Sequence, residues 1–246
     1  MVDASEPTWD GLDRGALAAL TGAPQVAVAG TVPSTLDVAH ALGEAGAPGG
    51  TIALAEEQTA GRGRGRRAWW SPRGGGIWLS VLLRPGAAPA GGALAIRAAL
   101  AVHQGLAVAT PRALPLVKWP NDLVLAGRKV GGILCEARWI GERLGWIAVG
   151  IGLNVHGPLP PEVEGHAVSL ADVDPDVRRA EILAEIVPRV AALATRPAEL
   201  EEAERAAFLE VAWQPEGDAP IVGLAPDGAL LVRRPDGTLD RRRDPS

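Results

Sequence analysis

Between residues 114 and 155, strand-like segments follow one another with no helix between them. The first, LPLVKWP, stops at Pro120, because a proline restricts the backbone of the residue before it. The second, LVLAGRKVGGILCEARWI, is typical of a hairpin that turns at residues 126–128. The third, RLGWIAVGIGLNV at 143–155, is expected to pair beside that hairpin. Consecutive strands of this kind predict a mixed sheet in an α+β fold.

Strands and helices alternate upstream of this region. QVAVAG at 25–30 and TIALAEEQ at 51–58 are predicted strands. A helix is predicted between them, at 34–46, where a Ser-Thr pair supplies the cap. IWLSVLL at 77–83 is typical of a buried strand, and residues 90–108 are typical of a long alanine-rich helix. We expect these helices to pack on the sheet.

The following part of the chain is predicted to be helical. Residues 177–195 form a predicted helix with a kink at Pro188, because proline removes a backbone donor. A second helix is expected to begin near Pro197, with Glu201 and Arg205 paired at i,i+4 on its exposed face. Its predicted inward-facing residues are Leu200, Ala203, Ala207 and Val211.

The tail after Asp218 predicts a hairpin or two. APIVGLA and ALLVRR are strand-like and are separated by an Asp-Gly turn, which is too little for an independent core. We therefore expect one large α+β domain at 1–213 and a short β module at 214–246. Residues 1–24 leave room for one short helix and no separate N-terminal DNA-binding domain.

Composition limits the class of protein. The chain is 47% hydrophobic and 22% charged, as an ordinary globular protein is. Its net charge of -5 argues against a generic nucleic-acid binder, because phosphate neutralisation dominates that kind of affinity. No apolar run approaches the roughly 20 residues of a membrane span, and MVDASEPTWD lacks a signal-peptide pattern. A cytoplasmic location is therefore expected.

The segment QTAGRGRGRRAWWSPRGGG, at 58–76, combines flexible glycines with concentrated positive charge. Its guanidinium groups suit bidentate contacts with phosphate, and Trp69 or Trp70 suits stacking or shielding of a ligand from water. Taken alone, the segment fits a solvated basic turn or an RNA contact equally well. The remaining motifs decide between these interpretations.

Lysine is scarce, since Lys118 and Lys129 are the only two among 24 basic residues. Both lie in KWPNDLVLAGRKVGGILCE, at 118–136, where Asn121 and Asp122 follow a strand end, a usual place for functional groups. Asp122 is a candidate magnesium ligand. Glycines inside the apolar strand allow a ligand to approach the backbone closely. Each feature alone also fits a plain turn or bulge, but their joint occurrence favours a site.

Several mechanisms are excluded by the sequence. The chain contains no P-loop, no GxGxxG in the arginine segment, no HExxH pair and no GxSxG elbow. The lone Cys135 excludes an internal disulfide and a Cys-rich zinc site, and its apolar strand predicts a buried small hydrophobe. The remaining possibility is catalysis by cations and backbone amides. It fits a reaction whose substrates supply their own nucleophile and leaving group.

These motifs together resemble the catalytic domain of biotin protein ligases. The resemblance rests on STL at 34, EEQTAGRGR at 56, KWPND at 118, GRKVGGIL at 127 and GIGLN at 150, in that order. It implies a fold like that of class II aminoacyl-tRNA synthetases, and a C-terminal SH3-like β module. It also implies a reaction of biotin with ATP and Mg²⁺ that gives biotinyl-5'-AMP, followed by transfer to a lysine of a biotin carboxyl carrier protein. A monomer and a homodimer are both open.

The resemblance also implies roles for individual residues. The biotin-binding set is Ser34, Thr35, Gln58, Gly61, Arg62, Gly132, Leu134, Gly150 and Gly152. The nucleotide-binding set is Arg64, Arg67, Trp69, Lys118, Asn121, Lys129 and Asn154. The catalytic set is Arg62, Arg64, Lys118 and Lys129, and Asp122 is the metal ligand.

Three features depart from the family pattern. Leu36 follows Ser-Thr where the family usually has asparagine, which removes one polar contact. Gly65 and Arg66 change the usual GRGRxGR spacing of the loop, and the C-terminal module is short. Two other functions stay open: a lipoate- or octanoate-protein ligase of similar fold, and a non-enzymatic module that binds RNA through the arginine loop.

Lys129→Arg tests the importance of lysine itself, because a compact ammonium and a planar guanidinium are not interchangeable at a phosphate or carboxylate. We expect adenylate formation to fall at least about tenfold, or roughly 1.4 kcal/mol of transition-state stabilisation. Pyrophosphate release with biotin and Mg-ATP is the measurement. Near-normal release by the variant would contradict the role given to Lys129.

Overall fold

Seven strands form one mixed sheet in the computed structural model, which describes residues 7–163 and 165–243. Their order is β1-β2-β3-β7-β6-β5-β4, and β1 and β2 are parallel, whereas all other neighbours are antiparallel. The strands are β1 (Val26–Val32), β2 (Ile52–Gln58), β3 (Gly76–Leu83), β4 (Leu116–Lys118), β5 (Asp122–Leu125), β6 (Arg128–Ile140) and β7 (Arg143–Asn154). The predicted α+β fold with a mixed sheet is confirmed.

Helices cover the sheet because their apolar side chains need a partner. The helices are α1 (Arg14–Thr21), α2 (Thr35–Glu44), α3 (Ala93–Ala109), α4 (Arg179–Ala191) and α5 (Glu202–Val211). α3 and α4 pack against each other and belong to the main core, with strands β3, β6 and β7. α2 packs separately over β2, β3 and β7 through Leu36 and Ala39. No helix in these described ranges is long and apolar enough to cross a membrane.

The start of α2 is fixed by its cap. Ser34 has an extended backbone, and its hydroxyl accepts a hydrogen bond from the backbone amide of Leu36. The same helix carries Asp37 in its first turn, where a carboxylate is favourable to the helix dipole. The predicted cap is present, and it places Ser34 and Thr35 at the N-terminus of a helix that packs on the sheet.

α5 begins later than predicted, at Glu202 rather than near Pro197. The backbone before it is held by the buried Arg97 of α3, which donates to the carbonyl oxygens of Pro197 and Glu199. These bonds hold the segment before Glu202 against α3 in a non-helical conformation. α4 contains Pro188, as predicted, and continues into a 3-10 turn at Ala192–Thr195.

The predicted faces of α5 were also wrong in part. Ala203 is exposed, and Phe208 is the fully buried residue of the helix. Glu201 pairs with Arg196 at 3.2 Å, whereas Arg205 donates to the carbonyl oxygen of Leu224. Contacts with the neighbouring C-terminal strand β8 (Ile221–Leu224) decide which residues are buried, and the i,i+4 pattern alone does not contain them.

The C-terminal tail forms a second, antiparallel sheet of strands β8 (Ile221–Leu224), β9 (Leu230–Arg233) and β10 (Leu239–Arg242). Its buried residues Leu224, Leu230 and Val232 join the main core. Trp119 Nε1 also donates to the carbonyl oxygen of Gly228, at 2.9 Å. The small sheet therefore packs as part of the core, and a division near residue 213 stays a prediction.

Phe208→Ala is expected to destabilise the protein by about 3 to 5 kcal/mol, because it removes a fully buried ring from the contact between α5 and the core. Leu209→Ala is the matched control, since the adjacent Leu209 side chain is 40% exposed. The free energy of unfolding in urea measures both. Equal losses in the two variants would show that Phe208 does not anchor α5.

Candidate active site

A cleft of about 940 Å³ lies at the end of α2, between the arginine loop and strands β6 and β7. It is one continuous space, and it brings together residues that are far apart in the sequence. The predicted residues that line it are Ser34, Thr35, Gln58, Arg62, Arg64, Arg67, Trp69, Asn121, Asp122, Lys129, Gly132, Leu134, Gly150, Gly152 and Asn154.

The floor of the cleft is a row of glycines in register. Gly132 of β6 pairs with Gly152 of β7, and Leu134 pairs with Gly150. Residues paired directly across antiparallel strands share a face of the sheet, and three of these four positions are glycine, so Leu134 supplies the one side chain among them. Trp69 occupies part of this space, because a Cβ on Gly152 would lie only 2.5 Å from its Nε1. Leu36 packs over Gly150 in the same way.

One end of the cleft is polar but uncharged. Gln58 Oε1 accepts from the backbone amide of Thr35 at 2.8 Å, and from its hydroxyl at 3.2 Å. Gln58 Nε2 donates to the hydroxyl of Ser71, at 2.8 Å. Ser80 donates to Thr35 from below. The resulting fixed set of donors and acceptors suits a neutral polar group such as an amide or urea.

Gly61 supports this network from outside the cleft lining. A Cβ at this position would lie 2.5 Å from the carbonyl oxygen of Trp69 and 2.7 Å from the hydroxyl of Ser71. A larger residue would therefore displace the loop from Gln58. Gly61 fits a role in shaping the site more directly than a contact with a ligand.

The other end of the cleft carries positive charge. Lys129 Nζ lies 2.7 Å from Asp122 Oδ1 and 5.2 Å from the centre of the Trp69 ring. Arg64 Nη1 donates to Asn121 Oδ1 at 3.2 Å, and burial lowers the pKa of Arg64. Asp122 is the one carboxylate in the described lining, so this end has a cationic excess that suits phosphate groups.

Two predicted residues have other surroundings. Lys118 lies outside the cleft lining, and its exposed ammonium stands 5.0 Å from the ring centre of Trp213. Its catalytic and nucleotide-binding roles stay predictions. Asn154 lines the cleft and is buried, but its Nδ2 donates to the carbonyl oxygen of Val168 at 3.3 Å. Its side chain is therefore fixed by the segment that follows β7.

Sequence reasoning missed the partners of Arg62. Arg62 Nε and Nη2 bind both oxygens of Glu136, at 3.0 and 3.2 Å, and Nη2 also lies 2.7 Å from Asp37. Glu136 accepts from His40 at 2.9 Å. Burial acts to raise the pKa of Glu136, but hydrogen bonds from Arg62 and His40 outweigh it and hold that pKa below its ordinary value. Only Asp37 had a local signal, its place in the first turn of α2.

The chain offers little to hold a metal by itself. Among the residues that the structure describes, no three His, Cys, Asp or Glu side chains converge. Asp122 is already paired with Lys129. Magnesium, however, usually binds one or two carboxylates together with substrate phosphates. Asp122 at the cationic end fits that mode.

Comparisons with known proteins identify the family of the chain. The chain matches the model of the biotin/lipoate A/B protein ligase family over residues 29–154. A biotin--[acetyl-CoA-carboxylase] ligase of Mycobacterium tuberculosis is 35% identical over 72% of this chain and 70% of that protein. The bifunctional ligase/repressor BirA of Bacillus spizizenii is 38% identical over 63% of this chain and 49% of that protein. The chain thus spans about half the length of the Bacillus relatives that it matches.

A solved structure shares the architecture. A biotin protein ligase from Aquifex aeolicus, in complex with biotin and ATP, has a TM-score of 0.71 and 25% identity, over 90% of this chain and 100% of that chain. The fold is that of the protein ligase class. The chain belongs to the biotin/lipoate A/B protein ligase family.

The lowered pKa of Glu136 predicts a pH-dependent contribution to stability. The folded state favours the ionised carboxylate, so this contribution is complete above the ordinary value of 4.5 and is lost as the pH falls through the lowered pKa. Glu136→Gln should therefore cost about 1 kcal/mol at pH 7 and nothing once the carboxyl is protonated. Urea unfolding of both proteins at pH 7 and pH 3 measures it. A difference that grows on acidification would contradict the assignment.

Proposed function

We propose that this protein is an ATP-dependent biotin protein ligase. The observation that carries the proposal is the single cleft, in which a fixed, uncharged polar end continues into a cationic end. Biotin has a neutral urea group at one end and a carboxylate at the other, so it matches this polarity along its length. The names of the Mycobacterium relative and of the Aquifex complex support the same reaction.

The first step joins the biotin carboxylate to the α-phosphate of ATP. A carboxylate oxygen attacks the α-phosphorus, the bond to the β-phosphate breaks, and pyrophosphate leaves with its electron pair. Arg62, which lines the same cleft, would hold the carboxylate. Arg64 and Lys129 are placed to stabilise the charge that develops on the phosphates. Holding both anions in one cleft lowers the entropic part of the barrier.

Magnesium would supply additional charge neutralisation for the phosphates. Asp122 is the carboxylate that would hold it, and Asn121, next to it, is fixed by donating to the carbonyl oxygen of Ile133 at 2.6 Å. If Asp122 held the metal, Lys129 would be free to bind a phosphate oxygen instead of Asp122. Asp122 would then serve the cation of Mg-ATP, and Lys129 would serve its phosphates.

The second step transfers biotin to an acceptor lysine of a carrier domain. The amine attacks the acyl carbon, the acyl-oxygen bond breaks, AMP leaves, and a proton of the amine is released to solvent. No residue of the chain needs to become acylated. Burial raises the pKa of the Cys135 thiol to about 12, which removes it as a nucleophile at neutral pH.

Transfer of labelled biotin tests the proposal. We expect the purified chain with Mg-ATP and labelled biotin to release pyrophosphate and to label one lysine of a biotin carboxyl carrier domain. Omitting ATP should abolish both products. An acceptor domain with that lysine changed to arginine is the matched control, because it should leave pyrophosphate release intact and remove the label.

The other open functions give different results in the same experiment. Labelling by lipoate or octanoate, with none by biotin, would assign the chain to another acyl substrate of the same family. RNA binding without adenylate formation would support a binding module. Either result would contradict biotin ligation.

A further inference from the structure

A continuous line of hydrogen bonds joins a buried tryptophan to the arginine of the cleft. Trp146 Nε1 donates to His40 Nδ1 at 3.0 Å, and His40 Nε2 lies 2.9 Å from Glu136 Oε2. Glu136 binds the guanidinium of Arg62 through both oxygens. We propose that Glu136 and His40 are positioning residues, which fix Arg62 for the carboxylate of biotin. The inference rests on the proposed ligase function.

The indole of Trp146 determines the tautomer of His40. An indole nitrogen is only a donor, so His40 Nδ1 must be the unprotonated acceptor. The proton of the neutral ring is therefore on Nε2, which donates it to Glu136. The indole therefore fixes which ring nitrogen accepts and leaves Nε2 to donate to Glu136.

The surroundings of this line are rigid. His40 and Trp146 are each 5% exposed. Trp146 lies directly on α2, because a Cβ on Gly43 would be 2.6 Å from the indole ring. On its other side, the guanidinium of Arg84 stands 5.6 Å from the ring centre and donates to the carbonyl oxygens of Gly43 and Ala47. The indole has little freedom to move away from His40.

Arg62 receives its orientation from this fixed carboxylate. Its Nε and Nη2 are occupied by Glu136, and Nη2 is shared with Asp37. Within the described ranges, Nη1 makes no hydrogen bond to the protein, while the residue lines the cleft. A guanidinium is planar, so fixing two nitrogens fixes the direction of the third. Nη1 is then the group left to bind a substrate oxygen.

The two carboxylates contribute unequally. The Glu136 side chain is 22% exposed, whereas that of Asp37 is 54% exposed. A solvent-exposed ion pair is weakened by water and salt. Glu136 therefore fixes the guanidinium, and Asp37 adds a weaker contact at its rim. Loss of Glu136 would leave Arg62 free to adopt other rotamers before substrate binds.

The opposite role for Glu136 and Asp37 would be to compete with biotin for Arg62. The two roles differ in sign. If Glu136 positions Arg62, Glu136→Gln raises the KM for biotin and lowers the rate of adenylate formation. If Glu136 competes with the substrate, the same variant lowers the KM for biotin. The KM for ATP should change little in either case, because Arg64 and Lys129 are untouched.

The two nitrogens of His40 can be tested separately. Glutamine places its amide nitrogen near the position of Nε2, so His40→Gln can still donate to Glu136. Asparagine places its oxygen near Nδ1, so His40→Asn can accept from Trp146 but cannot reach Glu136. We expect His40→Gln to retain most activity and His40→Asn to resemble Glu136→Gln. A purely structural role of the buried histidine would not separate these variants in this way.

Steady-state adenylate formation by the full chain, measured as pyrophosphate release, is the experiment. For Glu136→Gln and His40→Asn we expect kcat/KM for biotin to fall about tenfold or more, as for loss of a charge-assisted hydrogen bond, with KM for ATP within about twofold. Glu185→Gln is the matched control, since it breaks the Arg189 pair on α4 outside the cleft. It should behave as the unmodified chain.

The outcomes separate the two proposals. If the unmodified chain forms no adenylate, the ligase function fails, and the nitrogen chemical shifts of His40 still report whether Nε2 carries the proton. If the chain is active but Glu136→Gln has an unchanged or lower KM for biotin, positioning by Glu136 is overturned. A His40 ring protonated on Nδ1 alone, or equal losses in both His40 variants with correct folding by circular dichroism, would overturn the role of His40.

Discussion

The register between β6 and β7 is the constraint on which the site depends. Gly132 opposes Gly152, so both strands lack a side chain at that pair, and Gly150 beside it opposes Leu134 on the same face. A shift by one residue would turn these positions to the other face and bring core side chains into the cleft. The space above the glycines receives Trp69 from the arginine loop and Leu36 from α2. One pairing register therefore positions the floor, the loop and the helix together.

The sequence predicted most of the elements because helix caps, turns and apolar strands are local signals. Ser34 and Thr35 followed locally only as a helix cap, and the residues of the cleft were assembled from the order of the family motifs. Glu136 had no such signal, because Arg62 is 74 residues away and the contact exists only after β6 lies against the loop. The sequence analysis singled out neither His40 nor its partner Trp146, which is 106 residues distant. Phe208 was missed because contacts with β8 and α3 decide which face of α5 is buried.

Two of the cations that line the cleft are paired with carboxylates of the protein. Arg62 is paired with two carboxylates of the protein, and Lys129 with one. Partly buried cations would otherwise repel one another and lower the stability of the folded state. In the proposed reaction, a phosphate oxygen would replace Asp122 at Lys129, whereas Glu136 would stay with Arg62, because the Arg62–Glu136 pair is less exposed. Both pairs join a cation of the cleft to a carboxylate of the protein, but the Lys129–Asp122 pair is more exposed than the Arg62–Glu136 pair.

Of the two lysines in the sequence, only Lys129 has surroundings that favour a lysine over an arginine. The Lys129 ammonium lies between the Asp122 carboxylate and the face of Trp69, with its side chain beside Gly132. A compact, rotatable charge can face a carboxylate and an aromatic ring in turn, whereas a planar guanidinium needs more room and a fixed direction. Lys118 has no comparable enclosure, since it is exposed beside Trp213. The composition drew attention to both lysines, but only the surroundings of Lys129 give a physical reason to expect that arginine cannot replace it.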